Sequence, residues 1–178
     1  QVTRKSDSKV IFSSKEELVF KDQYLEFATS YDTNAKTFGL GESTRLNQAL
    51  KAGGSVYTGW AGDTPSLLRD INLYSSFPIY LQMLEGTAYG GFMLNSNGMD
   101  VVLDDTKLTY KMTGGIIDFY VFVGSTPKQV IGQYISVVGK PMMMPYWSLG
   151  FHNCKYGSVV VNMICNNYNV YIYDAMTI

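Results

Sequence analysis

The residues best placed to do chemistry lie in one stretch, GWAGDTPSLLRDINLYSSFP at 59–78, with Trp60 and Tyr74 beside Asp63 and Asp70. Aromatic faces next to an acidic side chain stack on sugar rings and hydrogen-bond their hydroxyls. The competing expectation is that Tyr57, Trp60 and Tyr74 simply pin the loop to its own domain, as aromatics commonly do. Other chemistry is poorly supported. His152 is the only histidine and Cys154 and Cys165 are the only cysteines, so a zinc site lacks ligands and the two thiols read as core residues. No metal is expected. The glycines of Phe38-Gly39-Leu40-Gly41-Glu42 suit a close backbone approach, but no Lys or helix signal follows at phosphate-loop spacing. No cofactor is expected either. Asp118, inside the apolar run GGIIDFYVFVG, reads as a structural carboxylate because no partner group accompanies it.

The elements that must position these residues are mostly strands. Candidates run over 9–13, 17–20, 23–30 and 55–60, and then in quick succession over 77–84, 87–95, 99–103, 107–112 and 115–123. Short connections carrying Gly86, Gly98 and Gly114 join the later ones as hairpins. This spacing points to an antiparallel sandwich, with 43–76 as its least regular part. One helix is signalled throughout its length. Thr126 is the N-cap, Pro127 stands at N1, Gln129 completes a capping box, and Gly139 ends the run before Pro141. Val130, Ile131, Tyr134, Val137 and Val138 form its apolar face.

The pattern changes at PMMMPYWSLGFHNCKYG, residues 141–157. Pro141 and Pro145 hold the backbone extended, and 146–151 reads as a short buried strand of a parallel sheet. A helix at 158–168 and a strand at 171–178 would complete one βαβ unit, which cannot bury its own faces. More helices and strands are therefore expected to pack on it.

Composition narrows the function classes. Of 178 residues 46% are hydrophobic and only 16% charged, against roughly 25% in a typical soluble domain. Such a surface expects to be covered in part by more protein. The net charge of -1 and scattered basic residues give nucleic acid no electrostatic footprint. No run reaches the ~20 apolar residues of a membrane span, and no signal peptide opens the chain. The first residue is Gln1, which reads as the start of a piece cut from something longer.

Several stretches together resemble glycoside hydrolase family 31, and within it the α-glucosidases: VTRKS at 2–6, VFKDQYLEFAT at 19–29, FGLGE at 38–42, LNSNGMDVVL at 94–103, LTYKMTGGIIDFYVFVGSTPKQVIGQY at 108–134 and MPYWSLGFHNCKYG at 144–157. The resemblance implies a galactose-mutarotase-like β-sandwich over 1–140, lacking its first strands, and the first βαβ unit of a (β/α)8 barrel over 141–178. It implies α-glucan or maltooligosaccharide substrates, the remaining catalytic barrel as partner, and a secretory, endoplasmic-reticulum or lysosome-like setting. It also implies what is missing. Retaining glycosidases act with two carboxyl groups about 5–5.5 Å apart. The family's W-x-D-M-N-E nucleophile motif, its acid/base Asp and its D-I-D-Y-M run do not occur here, and Asp174 in YIYDAMTI matches none of them. This chain is therefore expected to be inactive alone, with no catalytic residue assigned. One binding residue carries over: the family's sandwich loop places an Asp near the substrate hydroxyls, which matches Asp63 first and Asp70 second. The alternative reading is a stand-alone carbohydrate-binding or regulatory module derived from such an enzyme.

Overall fold

The computed structural model describes residues 1–14, 18–63, 68–84 and 86–152, which fall into two units, 1–139 and 140–178. In the first unit, β3 (Val19–Lys21), β4 (Tyr24–Ser30), β10 (Lys107–Met112), β9 (Met99–Leu103) and β6 (Ser55–Gly59) form one antiparallel sheet in that order. A second sheet runs β11 (Phe119–Gly124), β8 (Thr87–Met93), β7 (Ile79–Leu84) and β5 (Lys36–Gly39), also antiparallel. β1 (Val2–Thr3) and β2 (Val10–Phe12) make a separate small ribbon. The chain is mainly β, and its two larger sheets form a β-sandwich.

Alternation explains how the sheets pack. Leu25 of β4, Met99, Val101 and Leu103 of β9, and Leu108, Tyr110 and Met112 of β10 meet Tyr80 of β7 and Met93 of β8 in one core, all nearly inaccessible. Burial of each such side chain stabilises by about 1.5–3 kcal/mol before entropy is counted. Phe119 extends that core towards Phe27 and Phe12, its ring 4.9 Å and 5.4 Å from theirs. β8 is buried at every position because its other face is covered too. Ala88, Phe92 and Phe122 pack there against Val130 of the helix α1 (Pro127–Val138). A Cβ on Gly90 would lie 2.6 Å from the Tyr80 carbonyl oxygen and 3.3 Å from Val130, so glycine lets strand and helix close together.

α1 starts and stops where its caps predict. The Thr126 hydroxyl accepts the Gln129 amide at 3.4 Å, and the Gly139 amide, at φ +88°, donates to the Ile135 carbonyl at 2.8 Å. The capping box is displaced by one residue: Gln129 Oε1 accepts from the Ser125 amide at 2.8 Å, not from the amide of Thr126. The expected apolar face is only partly used. Val130 is buried and Tyr134 meets Phe92 edge-on at 5.1 Å, whereas Ile131, Val137 and Val138 remain largely exposed. Gln133 replaces a missing strand at the sheet edge: its amide nitrogen donates to the Val123 carbonyl at 2.6 Å and its oxygen accepts the Val123 amide at 3.2 Å.

One further expectation changes. Residues 146–151 do not form a strand; Tyr146–Leu149 is a turn of 3-10 helix with its large side chains exposed. A parallel strand takes its hydrogen bonds from neighbours, and among the described residues none lies alongside. Local bonds take over, from the Ser148 amide to the Pro145 carbonyl at 3.0 Å and from the Gly150 amide to the Trp147 carbonyl at 3.2 Å. The helix expected at 158–168, the strand at 171–178, Cys154, Cys165 and Asp174 lie outside the described residues. Asp118 is structural, as expected: its backbone carbonyl accepts the Leu94 amide at 2.8 Å and its carboxylate accepts the Tyr120 hydroxyl at 3.3 Å.

The motif LNSNG owes its first Asn to a buried amide that joins two of the crossings between the sheets, β8 to β9 and β10 to β11. Asn95 Nδ2 donates to the carbonyls of Gly114 and Ile116, each at 2.9 Å, while Oδ1 accepts the Asn97 amide at 2.8 Å. Asn95→Ala removes the side-chain partner of all three groups and is expected to cost about 1–3 kcal/mol. Urea unfolding checks this; a loss below about 1 kcal/mol would show that the amide is not the brace.

Candidate functional site

The described residues of 43–76 are more regularly bonded than their composition implies. The backbone of 41–44 runs antiparallel to 71–77 and is laced to it. The Thr44 amide donates to the Ile71 carbonyl at 3.0 Å, the Leu73 amide to the Glu42 carbonyl at 3.1 Å, the Glu42 amide to the Ser75 carbonyl at 2.9 Å, and the Phe77 amide to the Gly41 carbonyl at 2.8 Å. Glu42 adds its side chain: Oε2 accepts the Ser75 amide at 3.1 Å. Gly62 is tied to the same ladder through its amide, which donates to the Leu73 carbonyl at 2.7 Å. The Asn72 side chain donates to the Thr58 carbonyl at 2.7 Å and so fastens the arm to β6.

This lacing sets the two carboxylates apart. Asp63 is exposed, and interaction with its carboxylate pushes the ionisation of the Tyr74 phenol, a residue 69% exposed, above its usual value. Trp60 lies against the turn at Gly98, where a Cβ would come within 2.5–2.8 Å of indole atoms, yet 59% of the residue stays open to solvent. Trp60, Asp63 and Tyr74 thus form an exposed polar and aromatic group on a hydrogen-bonded arm.

Asp70 stands elsewhere, at φ +58°, on a cleft of about 800 Å³ lined also by Arg45, Asn47, Tyr57, Trp60 and Asn72. Asp63 is not among the residues lining that cleft. Tyr57 serves packing. Its hydroxyl accepts the Lys51 amide at 2.7 Å and donates to the Lys51 carbonyl at 3.1 Å. The Arg45 guanidinium sits 4.9 Å over its ring and donates to the carbonyls of Gly39 and Leu40 at 2.9 and 2.7 Å. So of the three aromatics weighed, one pins the loop and two remain available. Glu42 and Asn72 are functional supports that residue patterns did not single out; the Glu of FGLGE was the available signal. Among the described residues no group of His, Cys, Asp and Glu could hold a metal ion.

No family model matches the chain. Curated relatives do. An α-xylosidase of Arabidopsis thaliana is 41% identical over 173 residues, covering 93% of this chain and 19% of its own length. The lysosomal α-glucosidase of Mus musculus is 42% identical over 172 residues, covering 93% and 18%. Among solved structures, a family 31 dextranase of Flavobacterium johnsoniae, complexed with glucose, superposes with a TM-score of 0.67 at 27% identity over 82% of this chain and 18% of that one. The chain belongs to glycoside hydrolase family 31. It spans 18–19% of the length of the curated relatives it matches. A family 31 α-glucosidase from Bacteroides thetaiotaomicron, at 20% identity and a TM-score of 0.62, shares the fold over 77% of the chain. Family 31 relatives named as xylosidase and as glucosidase match these residues about equally, so the sandwich does not separate the two.

Glu42 holds the arm of this family 31 sandwich by both backbone and side chain. Glu42→Ala is expected to lower stability by about 1–2 kcal/mol and to speed exchange of the Ser75 amide, while Glu42→Gln, which keeps an acceptor, retains most of both. Denaturant unfolding with amide exchange checks the pair; equal exchange at Ser75 in wild type and Glu42→Ala would remove the side chain from the arm.

Proposed function

We propose that the chain is the sandwich portion and first barrel elements of a retaining α-glucosidase, with the sandwich over 1–140 and the barrel beginning at 141–178. The complete enzyme would release α-linked glucose from the ends of oligosaccharides. Support comes from the match to family 31 over nearly the whole chain, and the single observation carrying the site is the exposed Asp63 carboxylate on a laced arm. A carboxylate held this way accepts hydrogen bonds from sugar hydroxyls, and the open parts of Trp60 and Tyr74 supply apolar surface for a pyranose ring. Asp63 binds; it does not attack or transfer protons. The nucleophile and acid/base carboxylates that retention needs have no motif in these 178 residues, so they must come from the rest of the enzyme.

A second reading, a stand-alone carbohydrate-binding module, draws on the polar cleft at Arg45, Asn47, Asp70 and Asn72. Titrating the isotope-labelled chain with maltotriose separates them: saturable shifts centred on Asp70 and Asn72 favour the module.

Two outcomes are expected. The purified chain alone gives no turnover of maltose or a nitrophenyl α-glucoside; turnover by homogeneous material would overturn the assignment. In the complete enzyme, Asp63→Ala raises KM by about tenfold or more, the loss of a hydrogen bond to a charged acceptor, with the melting temperature unchanged. An unchanged KM would remove Asp63 from the substrate site.

A further inference from the structure

Arg45 spends its side chain on backbone that lies five and six residues before it. One guanidinium nitrogen, Nη2, donates to the carbonyls of Gly39 and Leu40 at 2.9 and 2.7 Å. There the chain turns out of β5 with Gly39 at φ +113° and Leu40 at φ +49°. A large side chain rarely holds positive φ, and such a conformation persists only where its surroundings fix it. The turn is gripped from two sides, since the Leu40 amide donates to the Ile79 carbonyl at 2.9 Å while Arg45 takes the carbonyls. Tyr57 of β6 seats the guanidinium, with its ring 4.9 Å away and its hydroxyl tied to Lys51. Between the two ends that Arg45 clamps lie the residues that hold the arm. Gly41, Glu42 and Thr44 bond to 71–77 through their backbones, Glu42 Oε2 accepts the Ser75 amide, and the Thr44 hydroxyl accepts the Ile71 amide at 3.3 Å. The Leu73 carbonyl in turn takes the Gly62 amide, one residue before Asp63.

We propose that Arg45 is a positioning residue for substrate recognition: by clamping 40–45 at both ends it sets the segment to which the arm is laced, and so places Asp63. This rests on the reading of Asp63 as a sugar contact. A segment free to shift must be ordered when a ligand binds, and that cost is taken from the affinity. A clamp set beforehand removes it. The flat guanidinium suits the task, because it reaches two carbonyls while stacking on an aromatic ring, which the compact ammonium of a lysine does less well. Arg45 touches no reacting atom in this scheme. Its effect on the sugar passes through the ladder to Asp63.

The test is a double-mutant cycle in the complete enzyme, with hydrogen exchange as a separate reading. Arg45→Met keeps an apolar stem over Tyr57 and removes the donors. It is expected to raise KM about threefold with kcat nearly unchanged, whereas a residue that only added stability would leave the KM of the folded enzyme where it was. On an Asp63→Ala background it should add nothing to the loss that Asp63→Ala causes alone. Exchange of the amides in 71–77 should quicken, while the Asn97 amide, held by Asn95, exchanges as in wild type. Arg45→Lys, which keeps the charge and one donor group, should fall between wild type and Arg45→Met, and it carries the test if Arg45→Met does not fold. If Asp63→Ala raises KM but the Arg45 variants do not, or the losses simply add, the positioning role is overturned while Asp63 stands. Unchanged exchange over 71–77 overturns it as well. If Asp63→Ala leaves KM unchanged, the functional reading falls and this inference with it, whatever the exchange shows.

Discussion

One buried amide, that of Asn95, braces two of the crossings between the sheets. Each time the chain leaves one sheet for the other, backbone groups are freed from a ladder and must find partners out of water. Asn95 stands where β8 gives way to β9, and its side chain donates to carbonyls at Gly114 and Ile116, where β10 gives way to β11. One side chain therefore closes both crossings at the same end of the sandwich. A hydrophobic residue of the same size would leave these carbonyls without their side-chain donor. The same turn supplies Gly98, the only residue type that lets the Trp60 indole lie so close. Fold and site meet at that turn.

From this base the arm at 60–75 gains its order without a strand of its own. The lacing between 41–44 and 71–77 pairs segments some thirty residues apart, and Glu42 supplies a charged acceptor where a plain ladder would have none. The result is a loop that presents a carboxylate at low entropic cost. Loops carry binding residues because they are surface structures positioned by a rigid scaffold, and here the scaffold is the β6 edge and the FGLGE segment. The division of labour is consistent with an enzyme whose bond-breaking carboxylates stand on a separate barrel.

What could be read in the sequence followed from local rules. Alternation located most strands to within about two residues, because each has a face in a shared core, although the run at 115–123 becomes a strand only from Phe119 and β1 and β5 were not among those expected. Thr126, Pro127 and Gly139 fixed the helix, because capping is decided by neighbours in sequence. What could not be read was set by distant partners. The ladder between 41–44 and 71–77 leaves no periodic trace, so its residues read as a loop. Gln129 finds the Ser125 amide rather than that of Thr126, and Gln133 is spent on the edge of β11, choices made by the sheet beside the helix. The apolar run at 146–151 reads as a strand because hydrophobicity alone does not say whether neighbours are present; local turn bonds shape Tyr146–Leu149 instead. For the site, Asp63 was reachable through family resemblance, whereas the ladder that holds its arm needed coordinates.

The central claim is that Asp63 of the sandwich contacts the sugar held by the catalytic barrel. A crystal structure of the complete enzyme with an α-linked glucose oligosaccharide tests it most directly. The account predicts a glucose hydroxyl within hydrogen-bond distance of one Asp63 oxygen. Sugar seated in the barrel with Asp63 turned to solvent would contradict it.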